Sequence, residues 1–270
     1  MPFHSSYYSI SEFLADDLNS KYLSKSSQMV FDKYYSGYLN NFNKYLRYHY
    51  SRQTEEVTEL IKSSGLDVLE VGAGCGSESI WFALIGANVT AIDISDGRLN
   101  CAMERRNHYK NIMNMELSLN FKKCSIFDLY DDKYDVVWME QTYHHVEPRG
   151  DLFEKLNKLL NSSGKIIICE INGWNPLLQL QFFLLRGFKT IVDLVDSDGN
   201  RVLYGNERIT TPFAIKQLGL KSGFVVRKVS HFRLLPNWNP PSWFISVEIC
   251  ILKLFPFLST HFVIVLEKVD

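Results

Sequence analysis

The sequence has almost no net charge and no ordered set of cysteines. Its 270 residues contain 29 Lys+Arg against 30 Asp+Glu, a formal net charge of −1, which disfavours a protein built to bind the nucleic-acid backbone. The five cysteines are odd in number and never form a Cys-x-x-Cys pair. This spacing disfavours both a zinc framework and a disulfide scaffold. We therefore expect a reducing, cytoplasmic compartment and no nucleic-acid partner.

Long apolar runs and a secretion signal are also missing. The N-terminus carries Asp16 and Asp17 and no apolar stretch, so no signal peptide is expected. The apolar segments at 177–188 and 243–258 are both interrupted by charged residues, and neither reaches the ~18 uninterrupted apolar residues of a spanning helix. We therefore expect a soluble protein that makes at most a peripheral contact with a membrane.

Tyrosine is abundant but unevenly distributed. Of the 14 tyrosines, nine lie in the first fifty residues, within a segment (1–60) that we expect to form an N-terminal helical cap. Tyr34, Tyr38 and Tyr45 have roughly helical spacing, which predicts that they share one face of a helix. That face either packs against the next domain or covers a bound ligand as a lid, where tyrosine rings attract a cation.

From Leu66 to Glu170, short apolar strands alternate with amphipathic helices. The pattern predicts strands at 68–71, 88–93, within 117–125, at 134–139 and at 165–170, and helices at 77–85, 96–110 and 151–160. Ser77 is predicted as the N-cap of the first of these helices and Gly86 as its stop, and 161–164 as a turn. Repeated strand–helix–strand units predict an α/β fold with a doubly wound, mostly parallel sheet.

The alternation is interrupted twice after residue 170. A partly helical insertion is expected at about 171–210, followed by a helix at 212–222 and a strand at 225–233. A second insertion at about 234–258 contains a helix at 243–254 and precedes a last strand at 261–267. We therefore assign residues 61–270 to one domain that follows the cap and carries these late helical insertions.

The strongest motif is a glycine-rich loop between the first strand and the first helix of this domain. Gly72, Gly74 and Gly76 remove side chains where a ligand must approach the backbone. Asp93 ends the second strand, 19 residues beyond Gly74, where an acid can accept both hydroxyls of a ribose. A dinucleotide fingerprint would carry a further glycine at the position of Ser77. The loop therefore favours a nucleoside cofactor other than a nicotinamide dinucleotide.

Residues 66–170 resemble the cofactor domain of class I S-adenosylmethionine-dependent methyltransferases. The resemblance is carried by the stretches 68–76, 91–95, 134–137, 143–146 and 159–166. It implies a Rossmann-like fold with a seven-stranded, mostly parallel sheet. It also implies S-adenosyl-L-methionine as the cofactor of a transferase.

By this resemblance, a defined set of residues surrounds the cofactor. The glycine loop would pass beside its methionine part, the acid before the loop would help to hold its ammonium group, and residues after the second and third strands would contact the ribose and adenine. The residues that the resemblance assigns to the cofactor are Glu70, Gly72, Ala73, Gly74, Gly76, Asp93, Ile94, Ser125, Ile126, Phe127 and Glu140. Many family members have an acid at the position of Ser125, so Ser125, Asp128 and a backbone group all stay open as partners of the adenine.

Residues after the fourth strand are the candidates for catalysis, because ligands of a doubly wound sheet bind beyond the carboxyl ends of its strands. His144 is the first candidate for a general base or orienting group and Tyr143 the second, while Glu140 contacts cofactor or substrate. Packing or helix capping is the alternative role of each histidine. His144 and His145 are not expected to bind a metal, because adjacent side chains on a helix point apart.

The sequence as a whole therefore predicts a methyltransferase of the EC 2.1.1 type. The methyl group would go to O, N or C of a small apolar or aromatic acceptor, such as a natural product or lipid-like molecule. A catalytically inactive, methyltransferase-like binding protein is one alternative. A nicotinamide-dependent oxidoreductase is the other, and it is disfavoured by Ser77 and by Glu70 two residues before the glycines. The oligomeric state is left open.

Overall fold

A computed structural model describes residues 7–63, 65–130, 132–195, 201–207, 209–236 and 238–269. They fall into two compact units. The first reaches to Leu129 and includes the short stretch 238–239, and the second contains the described residues of 130–236 and 240–269. None of the helices in these described ranges is both long enough and apolar enough to cross a bilayer.

The first unit begins with three helices and continues as an alternation of strands and helices. The helices of the cap are α1 (Ile10–Asn19), α2 (Lys25–Tyr34) and α3 (Lys44–Ser63). They are followed by β1 (Asp67–Val71), α4 (Ser77–Leu84), β2 (Asn88–Asp93), α5 (Asp96–Met113), β3 (Leu119–Lys123) and a 3₁₀ turn (Ile126–Asp128). β2 pairs in parallel with both β1 and β3, so the ends of β1 and β2 lie side by side.

The second unit completes the sheet and carries the insertions. It contains β4 (Tyr134–Glu140), a 3₁₀ turn (Tyr143–His145), α6 (Arg149–Leu159), β5 (Leu160–Ile171), α7 (Pro176–Arg186), β6 (Ile191–Val195) and β7 (Arg201–Gly205). These are followed by α8 (Pro212–Lys221), β8 (Phe224–Phe232), α9 (Phe244–Leu254), a 3₁₀ turn (Pro256–Leu258) and β9 (His261–Lys268).

Seven strands form one sheet in the order β3-β2-β1-β4-β5-β9-β8. β4 and β5 are parallel, whereas β9 runs antiparallel to β5 and to β8. The strand core is apolar on both faces: the four residues from Ile166 to Cys169 are all 0% exposed, as expected for a sheet that is covered by helices on both sides. The doubly wound, mostly parallel seven-stranded fold is therefore confirmed.

Several local expectations were wrong. The N-cap of α4 is Gly76, whose φ of 80° makes the left-handed turn into the helix, so Ser77 is already helical. The expected turn at 161–164 lies inside β5, as an irregularity between two stretches that pair with β4. The first insertion is partly helical, as expected, and it also contains a separate antiparallel hairpin, formed by β6 and β7 after α7.

The tyrosines of the cap do not share one helical face. α2 ends at Tyr34 and α3 begins only at Lys44, so Tyr38 lies in the connection between the two helices. Tyr34 is 40% exposed and Tyr45 only 1%. Periodicity alone was misleading here because the helical spacing continues across the turns that separate α2 from α3.

A single carboxylate ties α2 to α5. Glu104, on α5, accepts hydrogen bonds from the backbone N–H of Ser24 (2.9 Å) and from the hydroxyls of Ser24 (2.8 Å) and Ser27 (2.7 Å). Burial alone would raise the pKa of Glu104, but these hydrogen bonds outweigh it and lower that pKa below its usual value. The N-cap of α2 is therefore also its attachment to the strand–helix part of the unit.

Candidate active site

The glycine loop turns sharply between β1 and α4. Gly72, Gly74 and Gly76 have φ values of 81°, 53° and 80°, the left-handed region that an L side chain rarely adopts. The end of the Tyr34 side chain lies against the loop, because a Cβ added to Gly74 would be 2.3 Å from the Tyr34 hydroxyl. The loop is thus a bare backbone surface with one aromatic side chain of the cap over it.

Amides of this loop are used within the protein. The N–H groups of Gly72 and Ala73 both donate to the carbonyl of Ile92, at 2.8 and 2.9 Å. The N–H of Gly74 donates to Asp93 Oδ2 at 2.9 Å. A phosphate-binding loop presents such amides to its ligand. This loop directs these three amides to the end of β2, so it is suited to a ligand that approaches the glycines without a phosphate group.

Asp93 holds the loop and keeps capacity for a ligand. Its other oxygen, Oδ1, accepts from the backbone N–H of Ser95 at 2.8 Å, and the side chain is 5% exposed. A carboxylate oxygen can accept more than one hydrogen bond, so both oxygens still have acceptor capacity for hydroxyl donors. Ile94, the next residue, is 43% exposed. An acid and an exposed apolar side chain therefore lie side by side after β2.

The acid before the loop has a structural partner. Glu70 is 2% exposed and accepts a hydrogen bond from the hydroxyl of Ser79, on the first turn of α4. The pair joins the end of β1 to α4 on either side of the glycines. Its visible effect is to hold the loop, and its predicted help in holding an ammonium group stays a prediction.

The segment after β3 forms a capping box. The Ser125 hydroxyl accepts from the N–H of Phe127 (3.3 Å), and Asp128 Oδ2 accepts from the N–H of Ser125 (3.2 Å). Ile126 is 3% exposed, whereas Phe127 is half-buried. Both polar side chains that were considered for the adenine therefore bond to their own turn, and nothing in this geometry selects one of them as its partner.

Arg105 is the residue of this region that sequence reasoning missed. It is fully buried on α5 and donates to the carboxylate of Asp17, to the carbonyl of Cys75 and to the hydroxyl of Ser77. Tyr109 also donates to Asp17, at 3.0 Å. The group therefore clamps α1 to the end of the glycine loop that leads into α4. A signal was available, since Arg105 stands four residues from both Cys101 and Tyr109 on the buried stripe of α5.

The acidic partner changes the titration of the surrounding tyrosines. Burial, followed by the Asp17 carboxylate, raises the pKa of Tyr109 far above its usual value. Burial and the same carboxylate also raise the pKa of Tyr22, against an opposing effect of Arg105. Both hydroxyls therefore stay protonated and act as donors to Asp17 over the whole physiological range.

In the second unit, His144 is held by a buried carboxylate. Its Nδ1 lies 2.8 Å from Glu170 Oε2, and its backbone N–H donates to Glu170 Oε1 at 3.1 Å. Because the carboxylate is an acceptor, this contact places the proton on Nδ1 and leaves Nε2 directed towards Glu207 Oε2, 3.7 Å away. Burial lowers the pKa of His144, but the carboxylates of Glu170 and then Glu207 outweigh it, so the net shift is upward.

His145 lies beside His144 and not opposite to it. The two ring centroids are 3.9 Å apart, so the expectation that these side chains point apart was wrong. The segment is a 3₁₀ turn, and each ring is drawn to a different acceptor: His145 Nδ1 lies 2.8 Å from the carbonyl of Gly205. Burial, followed by the charge of His144, lowers the pKa of His145.

The other two candidates near the histidines are placed differently. Tyr143 is 0% exposed and packs between the guanidinium of Arg149, 5.0 Å from its ring centre, and the ring of Phe153, 6.0 Å away. Glu140 is half-buried at the end of β4. Sequence reasoning missed Glu170 and Glu207. An acid that ends an apolar strand is a signal for Glu170, whereas no pattern pointed to Glu207.

Comparison with known proteins agrees with this geometry. Residues 69–168 match the family model described as a methyltransferase domain. The chain is 30% identical to a demethylmenaquinone methyltransferase of Clavibacter sepedonicus, over 54% of this chain and 59% of that protein. It is 34% identical to a ubiquinone biosynthesis O-methyltransferase of Rickettsia bellii, over 43% of this chain and 48% of that protein.

These curated relatives are matched only in part. The aligned stretch spans 23% of a maize phosphoethanolamine N-methyltransferase and 62% of a Staphylococcus carnosus methyltransferase. Among solved structures, a magnesium protoporphyrin IX methyltransferase from Synechocystis PCC 6803 has a TM-score of 0.56 and 14% identity, over 96% of this chain and 99% of that one. At that identity the likeness establishes the fold.

Proposed function

We propose that this chain, whose residues 69–168 match the family model of a methyltransferase domain, is a class I S-adenosylmethionine-dependent methyltransferase that transfers the methyl group of its cofactor to a small acceptor. The observation that carries the proposal is the glycine loop. Its backbone is bare and strongly turned, its amides bond to the end of β2, and Asp93 stands beside it. When bound, the cofactor supplies a methyl group on a positively charged sulfur, which is transferred by in-line displacement.

The proposed cofactor contacts follow from the first unit. Gly72, Gly74 and Gly76 let the methionine part approach the backbone, and Asp93 accepts from the ribose hydroxyls with the capacity that its loop contacts leave. The exposed side chain of Ile94 packs on the adenine. Such contacts orient the cofactor. Positioning it against the acceptor and excluding water raises the rate of methyl transfer.

A nicotinamide dinucleotide fits this loop less well. Its pyrophosphate needs loop amides as donors, whereas Gly72, Ala73 and Gly74 direct theirs to Ile92 and Asp93. Calorimetry with S-adenosylhomocysteine and with NADH separates the two functions. Heat from S-adenosylhomocysteine alone supports the methyltransferase, and heat from NADH alone overturns it.

A pair of glycine variants locates the binding surface. Gly74→Ala adds a methyl group to the loop at a φ of 53°, 2.3 Å from the position of the Tyr34 hydroxyl, and we expect the affinity for S-adenosylhomocysteine to fall about ten-fold or more. Gly150→Ala, at a helical position with nothing within 4 Å of the added carbon, is the matched control and should bind normally. Equal affinities of the two variants, with both folded, would contradict the assignment of the loop.

The acceptor that we propose is apolar or aromatic. α7 has no buried residue, and Leu177, Leu184 and Phe188 are 74%, 76% and 89% exposed in and after it. Two of the relatives are named for demethylmenaquinone and ubiquinone biosynthesis, which also supports an apolar acceptor, whereas others are named for phosphoethanolamine. Methyl transfer from labelled cofactor to a demethylmenaquinol in detergent micelles, with none to phosphoethanolamine, is the expected result. The opposite preference would contradict it.

His144 is the group that we propose to accept or orient a proton of the acceptor. Glu170 fixes its Nδ1 and leaves Nε2 for this role, as the carboxylate does in other His–acid pairs. With saturating cofactor, His144→Ala should turn over more slowly than wild type, whereas His108→Ala, a histidine change on α5, should not. Unchanged turnover of His144→Ala and His144→Gln across neutral and alkaline pH would end this assignment. Cofactor binding without any turnover would favour the inactive binding protein.

A further inference from the structure

Three side chains that bind metals in proteins converge in the second unit. One ligand atom each of His144, His145 and Glu207 lies within 4.8 Å of the other two. His144 and His145 come from the 3₁₀ turn after β4, and Glu207 follows β7 of the inserted hairpin. We propose that these three residues bind a divalent first-row transition ion, with Zn²⁺ as the reference ion.

The hydrogen bonds of the two imidazoles are those of metal ligands. A histidine that binds a metal usually donates its second ring N–H to a carboxylate or a backbone carbonyl, which fixes the tautomer and the ring orientation. His144 has the carboxylate of Glu170 at Nδ1, and His145 has the carbonyl of Gly205 at Nδ1. One nitrogen of each ring is therefore used for orientation, and the other nitrogen is left as a donor to an ion.

The hairpin is built against the histidine turn. A Cβ on Gly205 would lie 1.9 Å from the carbonyl oxygen of His144, so only glycine allows the two backbones to come this close. An antiparallel bridge joins Val146 to Tyr204, and the Tyr204 ring stacks on His145 at 4.4 Å between centroids. These contacts place the chain that leads to Glu207 next to both imidazoles.

The ligand set and its spacing suit a transition ion. Two imidazole nitrogens and one carboxylate bind Zn²⁺ or Fe²⁺ in many proteins and leave at least one position open. Two ligands of a tetrahedral Zn²⁺ are about 3.3 Å apart, compared with 3.7 Å between His144 Nε2 and Glu207 Oε2. The Glu207 side chain is 40% exposed, so a small rotation closes that difference. The open position would take water or an acceptor oxygen. With an ion bound, His144 Nε2 is a ligand, so the proton role proposed above for His144 belongs to the ion-free chain.

The surrounding charges favour a cation on balance. Glu170 and Glu207 are the acidic groups that face His144, while Arg149 is the nearby cation and opposes an ion. Arg149 is itself paired with Glu147 at 3.2 Å, which reduces that opposition. The competing arrangement is a protonated His144 bridging the two glutamates without an ion, and the experiment decides between them.

The test measures ion binding directly and needs neither cofactor nor acceptor, so its outcome is independent of the proposed methyl transfer. Tag-free full-length protein is stripped with a chelator and titrated with Zn²⁺ against a chromogenic competitor, and in parallel with Co²⁺, whose visible spectrum reports coordination. The variants are His145→Asn and Glu207→Gln, with His108→Ala as the control outside the cluster. Glu207 is partly exposed, so its variant should fold even if a change at His145 does not.

We expect one Zn²⁺ per wild-type chain and per His108→Ala chain, and an affinity at least about ten-fold lower in each cluster variant. The Co²⁺ spectrum should disappear in Glu207→Gln. The variant Glu170→Gln should weaken binding as well, because it removes the negative charge of the group that orients His144. The proposal is overturned if wild type binds no ion, or if Glu207→Gln binds Zn²⁺ and Co²⁺ like wild type.

Discussion

Replacing Asp17 with Asn should destabilise the first unit strongly. Asp17 is 2% exposed and its partner Arg105 is fully buried, so the substitution leaves the Arg105 charge without its partner and without access to water. The Asn side chain has nearly the same size and keeps one oxygen. The expected effect is therefore electrostatic and does not come from a cavity.

Its magnitude can be derived from the contacts. Removing one member of a buried ion pair costs about 3–5 kcal/mol, because the remaining charge stays buried. The Tyr109 hydroxyl also loses a charged acceptor at 3.0 Å, although its loss is not additive with that of the ion pair. We expect a free energy of unfolding that is lower by about 4 kcal/mol, and a melting temperature that falls by roughly 8–16 °C at about 2–4 °C per kcal/mol.

The assay is denaturant and thermal unfolding followed by circular dichroism, with two controls. Asp16→Asn changes the adjacent acid, which is exposed and accepts from Tyr7 at 2.6 Å, and it should cost well under 1 kcal/mol. The double variant Asp17→Asn with Arg105→Gln removes both charges, keeps polar atoms beside the Tyr109 and Ser77 hydroxyls, and should recover part of the lost stability. A loss below about 1 kcal/mol in Asp17→Asn, or a double variant less stable than it, would refute the reasoning.

Three further predictions concern the loop, the cap and the hairpin. Tyr34→Ala should weaken S-adenosylhomocysteine binding several-fold and Tyr34→Phe should not, because the ring covers Gly74. If calorimetry finds both variants equal to wild type, Tyr34 does not act as a lid over the cofactor. Glu104→Gln should lower the melting temperature at neutral pH. The lowered pKa of Glu104 means that its stabilisation is present above the unfolded-state pKa and is lost as pH falls through the folded-state pKa. The gap between variant and wild type should therefore close in acid, and a gap that widens there would contradict this sign. Gly205→Ala should cost about 1–3 kcal/mol, since its Cβ would lie 1.9 Å from the His144 carbonyl; unfolding at the wild-type temperature would contradict this contact.

The amino-acid sequence by itself determined the alternation of strands and helices and the place of the glycine loop. These features are local. A buried strand is a short apolar run, and glycine is favoured where the backbone adopts a positive φ, as it does at Gly72, Gly74 and Gly76. Asp93 was identified for the same reason, since it ends a strand at a set distance from the loop. The sequence was less informative about the cap, where helical spacing continued past the end of α2 at Tyr34.

Only the tertiary structure decided which polar side chains act together. Arg105 meets Asp17 across 88 residues, and His144 meets Glu170 across 26. Glu207 joins them only because the inserted hairpin packs its Gly205 backbone on the histidine turn. Local patterns report the burial and backbone conformation of a segment. The pairing of buried charges depends instead on distances between segments that are far apart in the chain, and folding alone sets those distances.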